Sequence, residues 1–276
     1  MAIKDLLVAY QGDEGARTAL KFALQMGKKY GAVVTGAYVH TSNQYEGQDR
    51  RWIPDSIREM IRTAEREAIA EVERAFRANA AELGPDIEHD WIATTGAPSL
   101  TLARMSRFYD ILITGQFEGA ISHGGRAFQP EETIQRSGRP MLIVPEKYEV
   151  RPFKEVAVVA WDGSSSAARA LADAMQVLET KRKLYVVTVE GGTRRIAPLT
   201  DHDIIKHLRR HGIDAESVNL ESTSNVGEAI LDFCARVDPD ILVMGAFGRA
   251  KLRALLFGGV ARYVLEHQNV PVLMSH

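Results

Sequence analysis

The sequence predicts two α/β domains in tandem, each built on a five-stranded, mostly parallel sheet with helices on both faces. Three observations carry this expectation: the chain repeats itself, short apolar runs alternate with helical patterns, and one proline-rich, charged segment separates the two copies. The repeat is direct. IKDLLVAYQGDEGARTALKFALQM, from Ile3, resembles FKEVAVVAWDGSSSAARALADAMQVL, from Phe153, with Gly12 opposite Gly163. TTGAPSLTLARMSRFYDILITGQF parallels SNVGEAILDFCARVDPDILVMGAF, with Gly115 opposite Gly245, and RPMLIVP parallels VPVLMSH, with Pro140 opposite Pro271.

In chain order, the apolar runs of the first copy are LLVAY, AVVTGAYV, IEHDWIA, DILIT and PMLIV. Those of the second are VAVVAW, LYVVTV, AESVNL, DILVMG and PVLM. Several are apolar on both faces, which suits strands covered on both sides and joined by right-handed crossovers. Helical stretches separate them. The most distinctive spans about 52–83, where Ile57, Ile61, Ala64, Ala68, Val72, Phe76 and Ala80 recur at helical spacing among alternating charges. Its counterpart in the second copy, LTDHDIIKHLRRHG, is much shorter, which accounts for the different offsets of the early and late blocks. PEKYEVRPFK ends the first copy, giving domains at 1–146 and 153–276.

With 276 residues, 45% of them hydrophobic and 25% charged, the chain can bury a substantial core. A formal net charge of -2 offers no broad basic field for nucleic acid and no polybasic membrane anchor. No apolar run is long enough to span a bilayer, and the N-terminus turns charged too early for a secretory segment. The single cysteine, Cys234, lies in the apolar pattern AILDFCARV and reads as a small buried hydrophobe. The expected location is the cytoplasm.

In open parallel sheets, ligands bind beyond the carboxyl ends of the strands, where the winding reverses. In the second copy the first strand ends at Asp162 and Gly163, before Ser164, Ser165 and Ser166, any of which can cap the next helix. The fourth strand ends at Gly245, followed by Gly248, Arg249, Lys251, Arg253 and the pair Gly258-Gly259 ahead of the helical pattern that starts at Val260. Glycines permit close backbone approach, a helix N-terminus supplies amides and partial positive charge, and the basic side chains add to it.

These residues resemble the universal stress protein family in its tandem form, once per copy. The resemblance implies Rossmann-like (HUP-type) domains of strand order 3-2-1-4-5, with the switch point between strands one and four. Nucleotide-binding members carry G-x2-G-x9-G followed by Ser or Thr. Gly245, Gly248 and Gly258 match that pattern, while Gly259 replaces the hydroxyl residue. Asp162 matches the family acid beside the adenosine. The resemblance therefore implies a site for ATP or a related adenine nucleotide, with or without Mg2+, formed by Asp162, Gly163, Gly245, Gly248, Arg249, Gly258, Gly259 and Val260. Loss of the hydroxyl removes one phosphate donor and leaves the Gly259 amide. At about 1.5–3 kcal/mol for a charge-assisted hydrogen bond, affinity falls by about one to two decades.

The first copy departs further: Gln11 stands opposite Asp162, Glu118 opposite Gly248, and RAFQ, at Arg126, has no glycine pair. SHGGR, at Ser122, is the rival anion loop there, set against a plain surface turn. No P-loop, nucleophile elbow or cysteine-pair metal spacing occurs, so no catalytic residue is assigned and any ATP hydrolysis is expected to be slow. His207 and His211, with His202 and Asp203 nearby, read as a solvated face rather than a metal site. The family resemblance implies a role in stress tolerance and pairing of the last strands, PMLIV and PVLM, within one chain. The long helix is then the surface on which a homodimer would form. The competing expectation is a nucleotide-free interaction and dimerisation module.

Overall fold

The structure is a computed structural model that describes residues 3–41, 54–116, 128–190, 204–221, 225–246 and 259–276. The first half runs β1 (Asp5–Ala9), α1 (Glu14–Tyr30), β2 (Val33–His40), α2 (Asp55–Leu83), β3 (His89–Thr95), α3 (Pro98–Met105), β4 (Ile111–Gly115), α4 (Pro130–Ser137) and β5 (Met141–Val144). The second runs β6 (Val156–Ala160), α5 (Ser165–Leu178), β7 (Lys183–Glu190), α6 (Ile204–Arg210), β8 (Ala215–Glu221), α7 (Val226–Val237), β9 (Ile241–Gly245), α8 (Gly259–His267) and β10 (Val272–Ser275).

The described strands form one ten-stranded sheet of order β3-β2-β1-β4-β5-β10-β9-β6-β7-β8. Each half has the order 3-2-1-4-5 and is parallel throughout. At the centre β10 runs antiparallel to β5, with Leu273 opposite Leu142. The sheet is therefore mixed, and its carboxyl ends point in opposite directions in the two halves.

Alternation along the buried strands divides the core between two helical layers. In β1, Leu6 and Val8 join the cluster under α1 and α5, while Leu7 and Ala9 join the one under α3, α4, α7 and α8. All four are essentially inaccessible. At roughly 1.5–3 kcal/mol per buried aliphatic side chain, such two-sided burial is what holds the central strands, and it explains their continuous apolar runs.

The long helix departs from its expected stripe. Phe76 and Ala80 are fully buried, but Ile57 is 45% exposed and Ala64 and Ala68 also face outward, as does Met60, outside that stripe, at 69%. Geometry accounts for this: at about 1.5 Å per residue, a 29-residue helix is far longer than the seven- or eight-residue strands it covers, which rise about 3.3 Å per residue. Only its C-terminal half docks. Phe76 fills the space left by Gly36 of β2, where a Cβ would meet the ring at 2.4 Å. Asn79 Nδ2 donates to the buried Tyr10 hydroxyl at 2.7 Å.

The connection between the halves packs against both. Thr18 of α1 donates to the Glu146 carbonyl, Gln25 donates to the Arg151 carbonyl, and Phe22 packs edge-on against Tyr148 and Phe153. Beneath it Lys181 bridges Asp240 at 2.8 Å and Glu155 at 3.4 Å, and Glu155 also pairs with Lys29 of the first half. The side chains of Lys181 and Asp240 are each only 2% exposed.

Candidate functional site

The carboxyl ends of β1 and β6 turn into helices in the same way. Each strand is followed by a glycine in the left-handed region, Gly12 at φ +88° and Gly163 at φ +69°, so these glycines are required by the backbone. The next residue caps the helix: Asp13 Oδ1 accepts from the Ala16 amide at 2.7 Å, and Ser164 Oγ accepts from the Ala167 amide at 3.1 Å. Of the three candidate serines, the cap is Ser164. Its own amide donates to Asp162 Oδ1 at 2.9 Å, and its hydroxyl lies 3.0 Å from that of Ser166.

The glycines that end β4 and β9 also share one task. A Cβ on Gly115 would stand 2.6 Å from the Gly15 backbone, and one on Gly245 would stand 2.7 Å from Ser166 Oγ and 2.8 Å from the Ala167 nitrogen. Close packing of the strand end against the first turn of α1 or α5 therefore demands glycine in both halves. Gly245 is not by itself a sign of a ligand.

In the first half a small cleft, partly open to solvent, is lined by Ala9, Gln11, Asp13, Ala16, Gly115 and Gln116. Gln116 Nε2 donates across to the Leu265 carbonyl at the end of α8, which ties this corner to the other half. In the second half Asp162 is exposed just beyond the carboxyl end of β6. Gly259 and Val260 open α8, whose buried residues lie on the opposite side of the sheet from those of α5. The N-termini of α5 and α8 thus approach the end of the sheet from its two faces, as a switch point requires. Gly248, Arg249 and Gly258 lie outside the described residues, as do Lys251, Arg253, Glu118, Ser122, Arg126, His202 and Asp203. Gly259 is exposed, and no described atom lies within 4 Å of the position a Cβ would take.

Charge distinguishes the two ends. The helices that open at the first-half crevice carry Asp13 and Glu14 on α1 and Glu131 and Glu132 on α4. Neither α5 nor α8 has an acidic residue in its first turn. An N-terminal carboxylate offsets the partial positive charge that draws an anion to a helix end; the second-half termini carry fewer, with no acid in either first turn and Asp162 alone ahead of the α5 cap. The DEG-against-SSS alignment held this signal for α1 and α5. For α4 and α8 it became legible only once the helix starts were placed.

Among the described residues, Cys234 and the two histidines of α6 stand apart from these helix openings. Cys234 is 1% exposed, and burial pushes its thiol up to about 12, away from nucleophilic chemistry. His207 and His211 meet edge to face at 4.9 Å, with His211 Nδ1 4.0 Å from Glu179.

The model of the universal stress protein family matches residues 2–145 and 193–276. The unmatched interval includes Asp162, Gly163 and the serines, whereas Gly245 through Val260 lie within a match. A universal stress protein of Synechocystis sp. is 28% identical over 172 residues, which cover 60% of this chain and 57% of that protein's length. Among solved structures, a universal stress protein from Archaeoglobus fulgidus superposes with a TM-score of 0.69 at 22% identity, covering 98% of this chain and 95% of its own. A functionally unknown protein from Pseudomonas aeruginosa PAO1 gives 0.57 at 14% identity, covering 99% and 92%. At these identities the structural likenesses establish the fold.

Proposed function

We propose, starting from a chain that belongs to the universal stress protein family, that its second domain, 153–276, binds ATP or a related adenine nucleotide and that its first domain, 1–146, is a partner that does not. The observation that carries this reading is the absence of acid from the first turns of α5 and α8, against Asp13, Glu14, Glu131 and Glu132 in the equivalent turns of the first half. Asp162 would take the ribose or base edge. The phosphates would lie against the openings of α5 and α8 and the backbone between Gly245 and Val260, with Gly248, Arg249 and Gly258 contributing from the intervening loop. Mg2+ would then be held chiefly by the phosphates, since no three-residue cluster of His, Cys, Asp or Glu suited to a metal occurs among the described residues.

A bound nucleotide of this kind acts as a regulatory signal in a cytoplasmic stress response, with at most slow hydrolysis, because no described side chain is placed to activate water. The two domains would work as an intramolecular pair, an arrangement supported by the β5–β10 ladder. The nucleotide-free interaction role has its own support in the acidic openings of the first half. Nucleotide released by denaturing protein purified without added ligand, followed by ATP calorimetry, tests the proposal. Saturable binding of one nucleotide per chain supports it, and no carried nucleotide together with no heat at about 1 mM ATP, where binding would be worth only about 4 kcal/mol, rejects it.

A further inference from the structure

At the amino end of β4, opposite to the crevice, a 3-10 turn at Ser106–Phe108 joins α3 to the strand. Phe108 is 83% exposed, the most exposed large hydrophobic side chain among the described residues. Around it Arg104, Arg107, Arg136 and Arg139 are all exposed. The cluster is organised: Arg107 donates to the Arg136 carbonyl at 2.9 Å, and Arg139 donates to the Arg107 carbonyl at 3.4 Å. These acceptors are neutral, so neither bond cancels the charge of Arg107 or Arg139. The nearby acids are already engaged. Glu132 pairs with Arg136 at 3.3 Å, and Asp110 accepts the amides of Lys4 and Asp5 at 2.7 and 3.0 Å.

The second half shows what this corner of the fold accommodates. There Asp240 plays the part of Asp110, accepting the amides of Lys154 and Glu155, and Asp238 stands where Phe108 stands. The segment entering β6 runs over that corner and sets Arg151 and Lys154 on Asp238. A basic segment thus covers an acidic corner. In the first half the polarity is reversed: the corner is basic and its central side chain is aromatic.

We propose that the Arg104–Arg107–Phe108–Arg136–Arg139 corner docks an acidic, carboxylate-rich peptide segment of a partner protein that presents an apolar side chain to Phe108. Guanidinium groups pair with carboxylates in fork geometry, and an exposed aromatic side chain with arginines in the same corner has the composition of a binding hot spot. The charge complementarity is the inverse of the internal ion pairs at Asp238.

The test is fluorescence anisotropy of the full chain with a labelled peptide of alternating glutamate and leucine, alongside a lysine–leucine control, anionic phosphatidylglycerol vesicles and a single-stranded oligonucleotide. The expected result is saturable binding of the acidic peptide alone, weakened about tenfold or more by Arg107→Glu/Arg139→Glu and severalfold by Phe108→Ala, with strong salt dependence. Arg104→Glu, which breaks none of the hydrogen bonds within the cluster, gives the same direction if the double variant fails to fold. Ser164→Asp, at the other end of the sheet, leaves peptide binding unchanged and so separates this site from the nucleotide crevice. No saturable peptide binding, equal binding by the charge-reversed variants, or preference for vesicles or oligonucleotide overturns the proposal.

Discussion

At the opening of α1 stand Asp13 and Glu14; at the opening of α5 stand Ser164, Ser165 and Ser166. The backbones are alike: both turns use a left-handed glycine, both N-caps bond the third amide onward, and both pack against a glycine that ends the fourth strand. One fold can thus keep its architecture in both copies while changing only the charge at the helix ends. Features shared by the halves report on folding, and features confined to one half report on function. By that criterion Gly163 and Gly245 belong to folding, and the acid-free first turns of α5 and α8 are what the proposed site rests on.

The largest contrast in stability lies under the connecting segment. Asp110 accepts the backbone amides of Lys4 and Asp5 and, among the described residues, no side-chain cation, whereas Asp240 also depends on Lys181. Lys181→Ala should leave Asp240 buried without its cation and cost about 3–5 kcal/mol, lowering the melting temperature by on the order of 10 °C. Among the described residues no lysine side chain pairs with Asp110. A loss under about 1 kcal/mol, as for an exposed pair, would show that Asp240 is as self-sufficient as its counterpart.

Gly115→Ala and Gly245→Ala test the opposite expectation, that the halves behave alike. Each inserts a methyl within 3 Å of backbone, and each should cost about 1–3 kcal/mol in chemical denaturation. Destabilisation by Gly115→Ala alone would return Gly245 to a purely ligand-binding role.

Much of this was legible in the sequence because it rests on local chemistry. The repeat, both-face apolar runs and paired turn glycines fix two copies of a parallel α/β unit, since each feature reflects burial or a dihedral set within a few residues. The site was less legible. Gly245 carries the family spacing for a reason the sequence does not distinguish from ligand binding, because its neighbour across the gap, Ser166, is distant along the chain. The exposure of Ile57, Ala64 and Ala68 was hidden for a similar reason: helical periodicity shows that one face is apolar, and only the width of the sheet shows how much of it can be covered.

Gly259→Ser sharpens the contrast within the second half. The Cβ position meets no described atom, so stability should change by less than about 0.5 kcal/mol. The added hydroxyl should tighten ATP binding by about tenfold, measured by calorimetry. Unchanged affinity would mean that the phosphates do not reach the opening of α8.

A smaller effect concerns the join between the halves. Burial raises the phenols of Tyr30 and Tyr148 to about 12. The folded state therefore holds these protons more tightly than the unfolded state, where phenols titrate near 10. Their contribution is complete below about pH 10 and is lost as pH rises toward about 12. Cys234 acts with the same sign over its own range. Thermal unfolding between pH 9 and 12 should become less steep in Tyr30→Phe/Tyr148→Phe, and an unchanged slope would remove the phenols from the account.

The most direct measurement gives the second half the charges of the first. In Ser164→Asp/Ser165→Glu the cap is kept, because aspartate caps a helix as well as serine, and acids in the first turn favour the fold by about 0.3–1 kcal/mol. Calorimetric titration with ATP should show one site per chain in the unaltered protein and a loss of about tenfold or more in the variant, at equal or higher melting temperature. Equal affinity in the two proteins, or two equivalent sites in the unaltered chain, would contradict the assignment of nucleotide binding to the acid-free half.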